Sequence, residues 1–190
     1  MQTTQMLQDE HRIIERVLDC LERLAERCRA EGRLDAEAAR DAVAFFRGFA
    51  DRCHHGKEEA HLFPLMEQRG FSPDSGPTAV MRREHQQGRE LVAAMAAALD
   101  GAANGAAAAR DAFLQAADGF VDLLRQHIMK EDQRLFPMAE QALTAADKGV
   151  LQEAFARVND EEIGAAERQR LLQIAAALAE RCGVTVTGRS

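Results

Sequence analysis

Apolar residues recur along the chain at alternating steps of three and four, the spacing that lines one face of an α-helix. Over residues 4–30 the series is Leu7, Ile14, Leu18, Leu21, Ala25 and Cys28, with His11 as its one polar member. Between 106 and 143 it reads Phe113, Ala117, Phe120 and Leu124, then runs on into His127 and Glu131. Residue choice agrees, since Ala, Leu, Glu, Arg and Gln, all strong helix formers, dominate the chain. Alternating β-branched residues occur only in the short Val184-Thr185-Val186. Breakers at Gly32 to Asp35, Phe71 to Pro77 and Gly101 to Gly105 divide the pattern. They predict helices over 4–30, 36–69, 78–99 and 106–143. Thr144 then caps a helix to about Val158. A last one, from about Glu161 to Cys182, carries Ile163, Ala166, Leu171, Ile174 and Leu178 on one side. Residues 183–190 read as a frayed end. The expectation is an all-α fold, with 1–143 as one helical domain and 144–190 as a helical extension packed on it or on a partner chain.

A repeat lies within this pattern. Residues 52–66, RCHHGKEEAHLFPLM, superpose on 125–139, RQHIMKEDQRLFPMA. His54 falls on His127, Lys57 on Lys130, Glu58 on Glu131, and Leu62-Phe63-Pro64 on Leu135-Phe136-Pro137. Glu10-His11 likewise superposes on Glu84-His85. Each copy therefore holds a lone His, then His-x3-Glu, then Leu-Phe-Pro, spread over a helical hairpin. His11 lies about twenty residues before the first turn and His54 about twenty after it, so antiparallel packing brings them to one height. His85 and His127 are related in the same way. Within each motif, His and Glu four residues apart share a helix face. Six groups converge on these grounds: His11, His54, Glu58, His85, His127 and Glu131. Buried without partners, such groups cost about 1–3 kcal/mol each. Imidazole and carboxylate together suit first-row metals, iron above all, with Zn or Mn as substitutes.

Several neighbours compete for roles. His55-x3-Glu59 has ligand spacing too, but only the His54/Glu58 register repeats, which places His55 and Glu59 near the edge of the bundle. His61, two turns beyond His54, has Arg134 as its counterpart and reads as polarity at the end of the site. Glu15 reads as a solvated flank, Cys53 as a small buried apolar residue, and Lys57 and Lys130 as surface residues paired with acidic neighbours. Each Leu-Phe-Pro places a Phe at the end of the core and a Pro that limits or kinks its helix.

Charge and composition narrow the function. A net charge of −7 over 190 residues argues against nucleic-acid binding. The start, MQTTQMLQDEHR, lacks the blocks of a signal peptide, and the apolar run Leu91 to Leu99 is too short to span a bilayer. The expectation is a soluble, cytoplasmic protein without a membrane partner, with a homodimer left open. Cys20, Cys28, Cys53 and Cys182 form no CxxC pair and do not read as a disulfide scaffold. The chain has no Tyr and no Trp, which excludes a tyrosyl radical or a Trp electron relay.

The segments DEH at 9–11, HHGKEEAHLFP at 54–64, REH at 83–85 and HIMKEDQRLFP at 127–137 resemble the hemerythrin-like family of HHE cation-binding proteins. The resemblance covers about 1–143. It implies an up-down-up-down antiparallel four-helix bundle, here with a two-helix C-terminal extension, and a non-haem di-iron centre. His11, His54, Glu58, His85, His127 and Glu131 match the family's ligand positions, with both Glu as bridges between two Fe ions. Oxygen-carrying members place two His one turn apart on the third helix, whereas His85 is flanked there by Met81 and Arg89. The resemblance therefore points to binding or sensing of O2, NO or peroxide in a stress or iron-handling role. The alternatives are a di-iron enzyme that turns over peroxide or nitric oxide or donates iron for cluster repair, and a metal store or metal-stapled bundle.

Overall fold

The computed structural model describes residues 3–184 and, among them, six helices and no strand. Helix α1 spans Gln5–Glu31, α2 spans 36–68, α3 spans Pro77–Ala103, α4 spans 107–142, α5 spans 145–162 and α6 spans Ala165–Cys182. Most of the Val184-Thr185-Val186 segment and the expected frayed end lie outside the described residues.

The apolar stripe of α1 is buried as its spacing requires, His11 included, and Gly32 closes the helix at φ 69°. The Asp35 side chain then accepts from the Ala38 backbone N–H and opens α2. Helix α3 runs past Gly101 rather than ending at 99. A Cβ on Gly101 would come within 2.7 Å of the Ala109 Cβ, so this glycine serves the close approach of α3 to α4 rather than a break. Helix α5 starts from a capping box of Thr144 and Asp147 and extends to 162, not about 158. The break before α6 falls at Gly164, whose φ of 84° suits glycine.

Helix α1 packs on α2 and α4, and α3 also packs on α2 and α4, which closes a ring of four. Helix α6 lies along α1 and α2, and α5 packs on α2. Two separate apolar clusters fill the ring. One holds Phe45, Phe46, Phe49, Met95, Phe113 and Phe120. The other holds Leu7, Phe63, Met66, Met81, Phe136 and Phe155. Each site helix crosses from one cluster to the other: α1 between Leu7 and Ile14, α2 between Ala50 and Leu62, α3 between Met81 and Val92, and α4 between Ile128 and Leu135. The repeated His and Glu residues occupy that gap.

The helix turns differ from regular α geometry there. Phe46–His55 and Glu58–Leu62 in α2, and Glu131–Leu135 in α4, are π-helical. The Phe63 N–H bonds to the Glu58 carbonyl and the Phe136 N–H to the Glu131 carbonyl. Pro64 and Pro137 follow directly. A proline ring clashes with the carbonyl four residues back, and a widened turn accommodates it. Both helices therefore continue to 68 and 142 instead of stopping at their prolines.

Candidate metal centre

Nε2 of His11 lies 2.9 Å from Nε2 of His54, and Nε2 of His85 lies 3.1 Å from Nε2 of His127. Two carboxylates face these pairs. Glu131 puts one oxygen 3.2 Å from His11 Nε2 and the other 3.2 Å from His127 Nε2. Glu58 puts one oxygen 3.7 Å from His54 Nε2 and the other 3.4 Å from His85 Nε2. Each carboxylate thus spans from one imidazole pair to the other. All six sequence-derived residues are brought together here and are buried.

Their outward nitrogens are held by a second set of carboxylates. His11 Nδ1 donates to Asp132 (2.7 Å), His54 Nδ1 to Glu10 (3.1 Å), His85 Nδ1 to Glu59 (2.6 Å) and His127 Nδ1 to Glu84 (2.9 Å). With Nδ1 protonated, every Nε2 lone pair points inward. The two halves of the repeat interlock in this set. Glu10 and Glu84 hold the His of their own half, whereas Asp132 and Glu59 each hold the lone His of the other half. Phe136 stacks on His11 at 5.4 Å and Phe63 on His85 at 5.8 Å, so the Phe of each Leu-Phe-Pro covers an imidazole.

His55 departs from the sequence expectation. It is buried rather than at the edge, stacked on the His85 ring with centroids 3.8 Å apart. The cause is the π-helical stretch that ends on it. A turn closed by i→i+5 bonds holds more than 3.6 residues, so His54 and His55 diverge by less than 100° and both face inward. Donor atoms that approach within 4.8 Å of one another form two groups among the described residues. One is His11, His54, Glu58 and Glu131; the other is His55, Glu58, His85 and His127. The repeat has Ile128 where His55 stands, and Ile128 lies in the apolar core, so the centre is asymmetric.

The other neighbours resolve plainly. Glu59 is no member of either group and instead holds His85. His61 is half-buried and outside both groups. Glu15 pairs with Arg12 at the surface (2.9 Å). Cys53 is buried, with Sγ 3.5 Å from Asn159 Oδ1. Lys57 is fully buried, against expectation, with Nζ on Glu10 (2.5 Å) and near Cys53 Sγ (3.4 Å). Lys130 pairs with Glu84 at the partly exposed counterpart position. Sequence reasoning missed the orienting roles of Glu10, Glu59, Glu84 and Asp132. Their signal was present as acidic residues repeated beside the site positions in both halves.

The buried ionisable groups of the centre shift one another strongly. Burial, and then the Glu131 charge, push the Glu58 carboxyl well above its ordinary range. Against burial, His127 and His11 hold Glu131 well below it. His127 rises to about 9, against burial, through Glu131 and then Glu84, and His11 is raised by Asp132 and Glu131. Burial brings His54 and His55 down to about 4 and His85 to about 3. All four oxygens of Glu58 and Glu131, and Nδ1 of His55, are buried without a hydrogen-bond partner. Inward lone pairs at 2.9 and 3.1 Å repel unless a proton or a cation lies between them. A donor set of imidazoles and carboxylates with these orphaned oxygens fits divalent or trivalent first-row metals. A cavity of about 130 Å³ borders His55, with Phe46, Val92 and Phe120 as apolar walls and Arg47, Asp51 and Arg89 as charged ones.

Comparison with known proteins agrees with this chemistry. The sequence model of the hemerythrin HHE cation binding domain matches residues 2–139. Three proteins described as uncharacterized, one from Mycobacterium bovis and two from strains of Mycobacterium tuberculosis, are each 28% identical over 178 residues, covering 94% of this chain and 69% of theirs. No solved structure matches the chain. No helix among the described residues is long and apolar enough to cross a membrane.

Proposed function

The chain belongs to the hemerythrin HHE cation-binding family, and from that premise we propose that it is a non-haem di-iron protein that binds or senses O2, NO or peroxide. The observation that carries the reading is the set of four buried, unpartnered oxygens on Glu58 and Glu131, placed between five imidazoles. His11, His54, Glu58, His85, His127 and Glu131 are the proposed ligands, with both Glu as bridges and His55 added as a seventh. His11 and His54 would hold one iron, and His85, His127 and His55 the other.

Residues 1–143 act as an up-down-up-down antiparallel bundle that carries the centre, and 144–190 as its extension. The short connections at 32–35, 69–76 and 104–106 and the ring packing of α1 to α4 support that topology. An iron pair held there would supply redox chemistry and affinity for O2, NO or peroxide. The protein's part is to hold the imidazoles by their Nδ1 protons and to exclude water with Phe63, Phe136 and the flanking apolar clusters. The cavity beside His55 gives a diatomic molecule or peroxide space next to the centre. With no Tyr and no Trp, the chain offers no aromatic radical partner of its own.

Metal analysis of protein made with ample iron tests the reading. About two Fe per chain, with the charge-transfer absorption of a carboxylate-bridged diferric pair in air, is the expected result. Zinc alone, or no metal, overturns it. Anaerobic titration with O2, NO and peroxide then separates reversible binding from turnover, and sustained turnover would make the protein a di-iron enzyme instead.

A further inference from the structure

Two of the four cysteines meet far from the metal centre. Cys20 lies on α1 and Cys182 is the last residue of α6, and both are buried. The Sγ of Cys182 donates to the Cys20 carbonyl oxygen at 3.7 Å. Each thiol is also the main influence on the other's acidity. The contact is held from both sides. Arg27 of α1 donates to the carbonyl oxygens of Arg181 (3.2 Å) and Cys182 (3.3 Å). Arg181 forks onto Asp35 (2.8 Å) and reaches Glu37 (2.8 Å) at the start of α2. Gly183, at φ 67°, ends the helix immediately after Cys182.

We propose that Cys20 and Cys182 form a peroxide-oxidisable dithiol whose disulfide ties the C-terminal helix to α1, the helix that carries His11. The pair is chemically divided for this task. The Cys182 thiol is brought down to about 7 by the neighbouring Cys20 thiol, against burial, with help from Arg27 and Arg181. The Cys20 thiol is pushed up by Cys182 and by burial. Cys182 is therefore the attacking thiolate. Its sulfur attacks one peroxide oxygen, the O–O bond breaks, and hydroxide leaves with a proton as water, giving the Cys182 sulfenic acid. The Cys20 sulfur then attacks the sulfenic sulfur. The S–S bond forms, the S–O bond breaks, and the Cys20 proton leaves with that hydroxide as a second water. Two thiols are oxidised by two electrons and one peroxide is reduced. Access comes through opening of the last turn of α6, because helix ends open at lower free energy than cores. Cys28 and Cys53 do not take part: Cys53 faces Lys57 and Asn159, and its thiol, like that of Cys28, is raised by burial.

The test is to expose the purified, metal-loaded chain to hydrogen peroxide, alkylate under denaturing conditions and map the peptides. The expected result is a fall from four alkylated cysteines per chain to two, with the Cys20 and Cys182 peptides joined within one chain and released by a thiol reductant. Cys182→Ser and Cys20→Ser each abolish the joined peptide, and Cys28→Ser leaves it. Four alkylated cysteines after treatment, a link that uses Cys28 or Cys53, a link between chains, or sulfinic acid without any link would each overturn the proposal. Because the readout is covalent and independent of iron content, its failure is distinct from failure of the di-iron reading.

Discussion

His55 and His61 are the two imidazoles that the tandem repeat leaves without a counterpart, Ile128 and Arg134 standing at the matching positions. Their environments separate them. His55 is buried within a donor group, and His61 is half-buried outside both. His55→Ala is expected to lower retained metal below two per chain under chelator competition, and His61→Ala to retain it. Equal retention by both would place His55 outside the centre. Glu59→Gln, at a residue outside both donor groups that holds His85, is expected to weaken metal affinity by about 10- to 100-fold. Protons compete for the same atoms, so chelator-stripped protein should be pH-sensitive. His54, His55 and His85 have folded pKa values of about 4, 4 and 3, below the usual 6.5 or so of an unfolded imidazole. In that interval the unfolded chain binds protons that the folded chain refuses. The contribution of these three rings is therefore full above about 6.5 and is lost as pH falls toward 4. Glu58, raised in the folded state, runs the other way but is one group against three. His127 adds stability below 6.5 that fades as pH rises through about 9. Melting temperatures of stripped protein between pH 7 and pH 4 should therefore fall steadily, and a flat profile would contradict the burial of these rings. The six repeat-derived positions were legible because period and ligand spacing coincide. His55 was not, because its inward direction depends on backbone bonding that no side-chain pattern encodes.

Helix existence was legible from apolar spacing and breakers, and the departures came where glycine and proline play more than one part. Gly101 reads as a stop yet lies inside α3, because close approach to Ala109 uses the same missing Cβ. Pro64 and Pro137 read as limits or kinks within their predicted helices, and both are absorbed by π-turns that begin at Glu58 and Glu131. Gly48 sits in the long π-stretch of α2 and went unremarked in the sequence. A Cβ there would lie 2.8 and 2.9 Å from the two methyl carbons of Leu171 on α6, and Leu171 is itself 1% exposed. Gly48→Ala is therefore expected to destabilise the fold by about 1–3 kcal/mol through overpacking. Leu171→Ala alone opens a cavity, and the double variant should recover part of the summed loss, since the new methyl fills space the leucine vacates. Urea denaturation of the three variants measures this. Strict additivity would mean that α6 does not rest on α2 at Gly48.

At the scale of the whole molecule, a two-fold repeat is covered on one side only. Helices α5 and α6 pack on α1 and α2, and no equivalent element covers α3 and α4 among the described residues. The consequence is clearest at a repeated lysine. Lys57 and Lys130 occupy matching positions and each bonds the carboxylate, Glu10 or Glu84, that orients a ring. The Lys57 and Glu10 side chains are 0% and 2% exposed, whereas Lys130 and Glu84 are 36% and 15% exposed. On the covered side, Cys53, Val158 and Ile163 form a small apolar cluster, and Arg168 of α6 comes within 3.9 Å of Glu10. The sequence alone assigned both lysines to the surface, because the repeat cannot say which copy the extension covers. Removing one partner of a buried pair strands the other charge at a cost of about 3–5 kcal/mol. An exposed pair contributes about 0–1 kcal/mol. Lys57→Met is therefore expected to be destabilising by several times more than Lys130→Met in denaturant titrations of metal-free protein. Double variants with Glu10→Gln and Glu84→Gln sharpen the comparison: Glu10→Gln should recover part of the Lys57→Met loss by removing the stranded carboxylate, and Glu84→Gln should change little beside Lys130→Met. Equal losses from the two lysine variants would mean that the extension does not seal the first half of the centre from water.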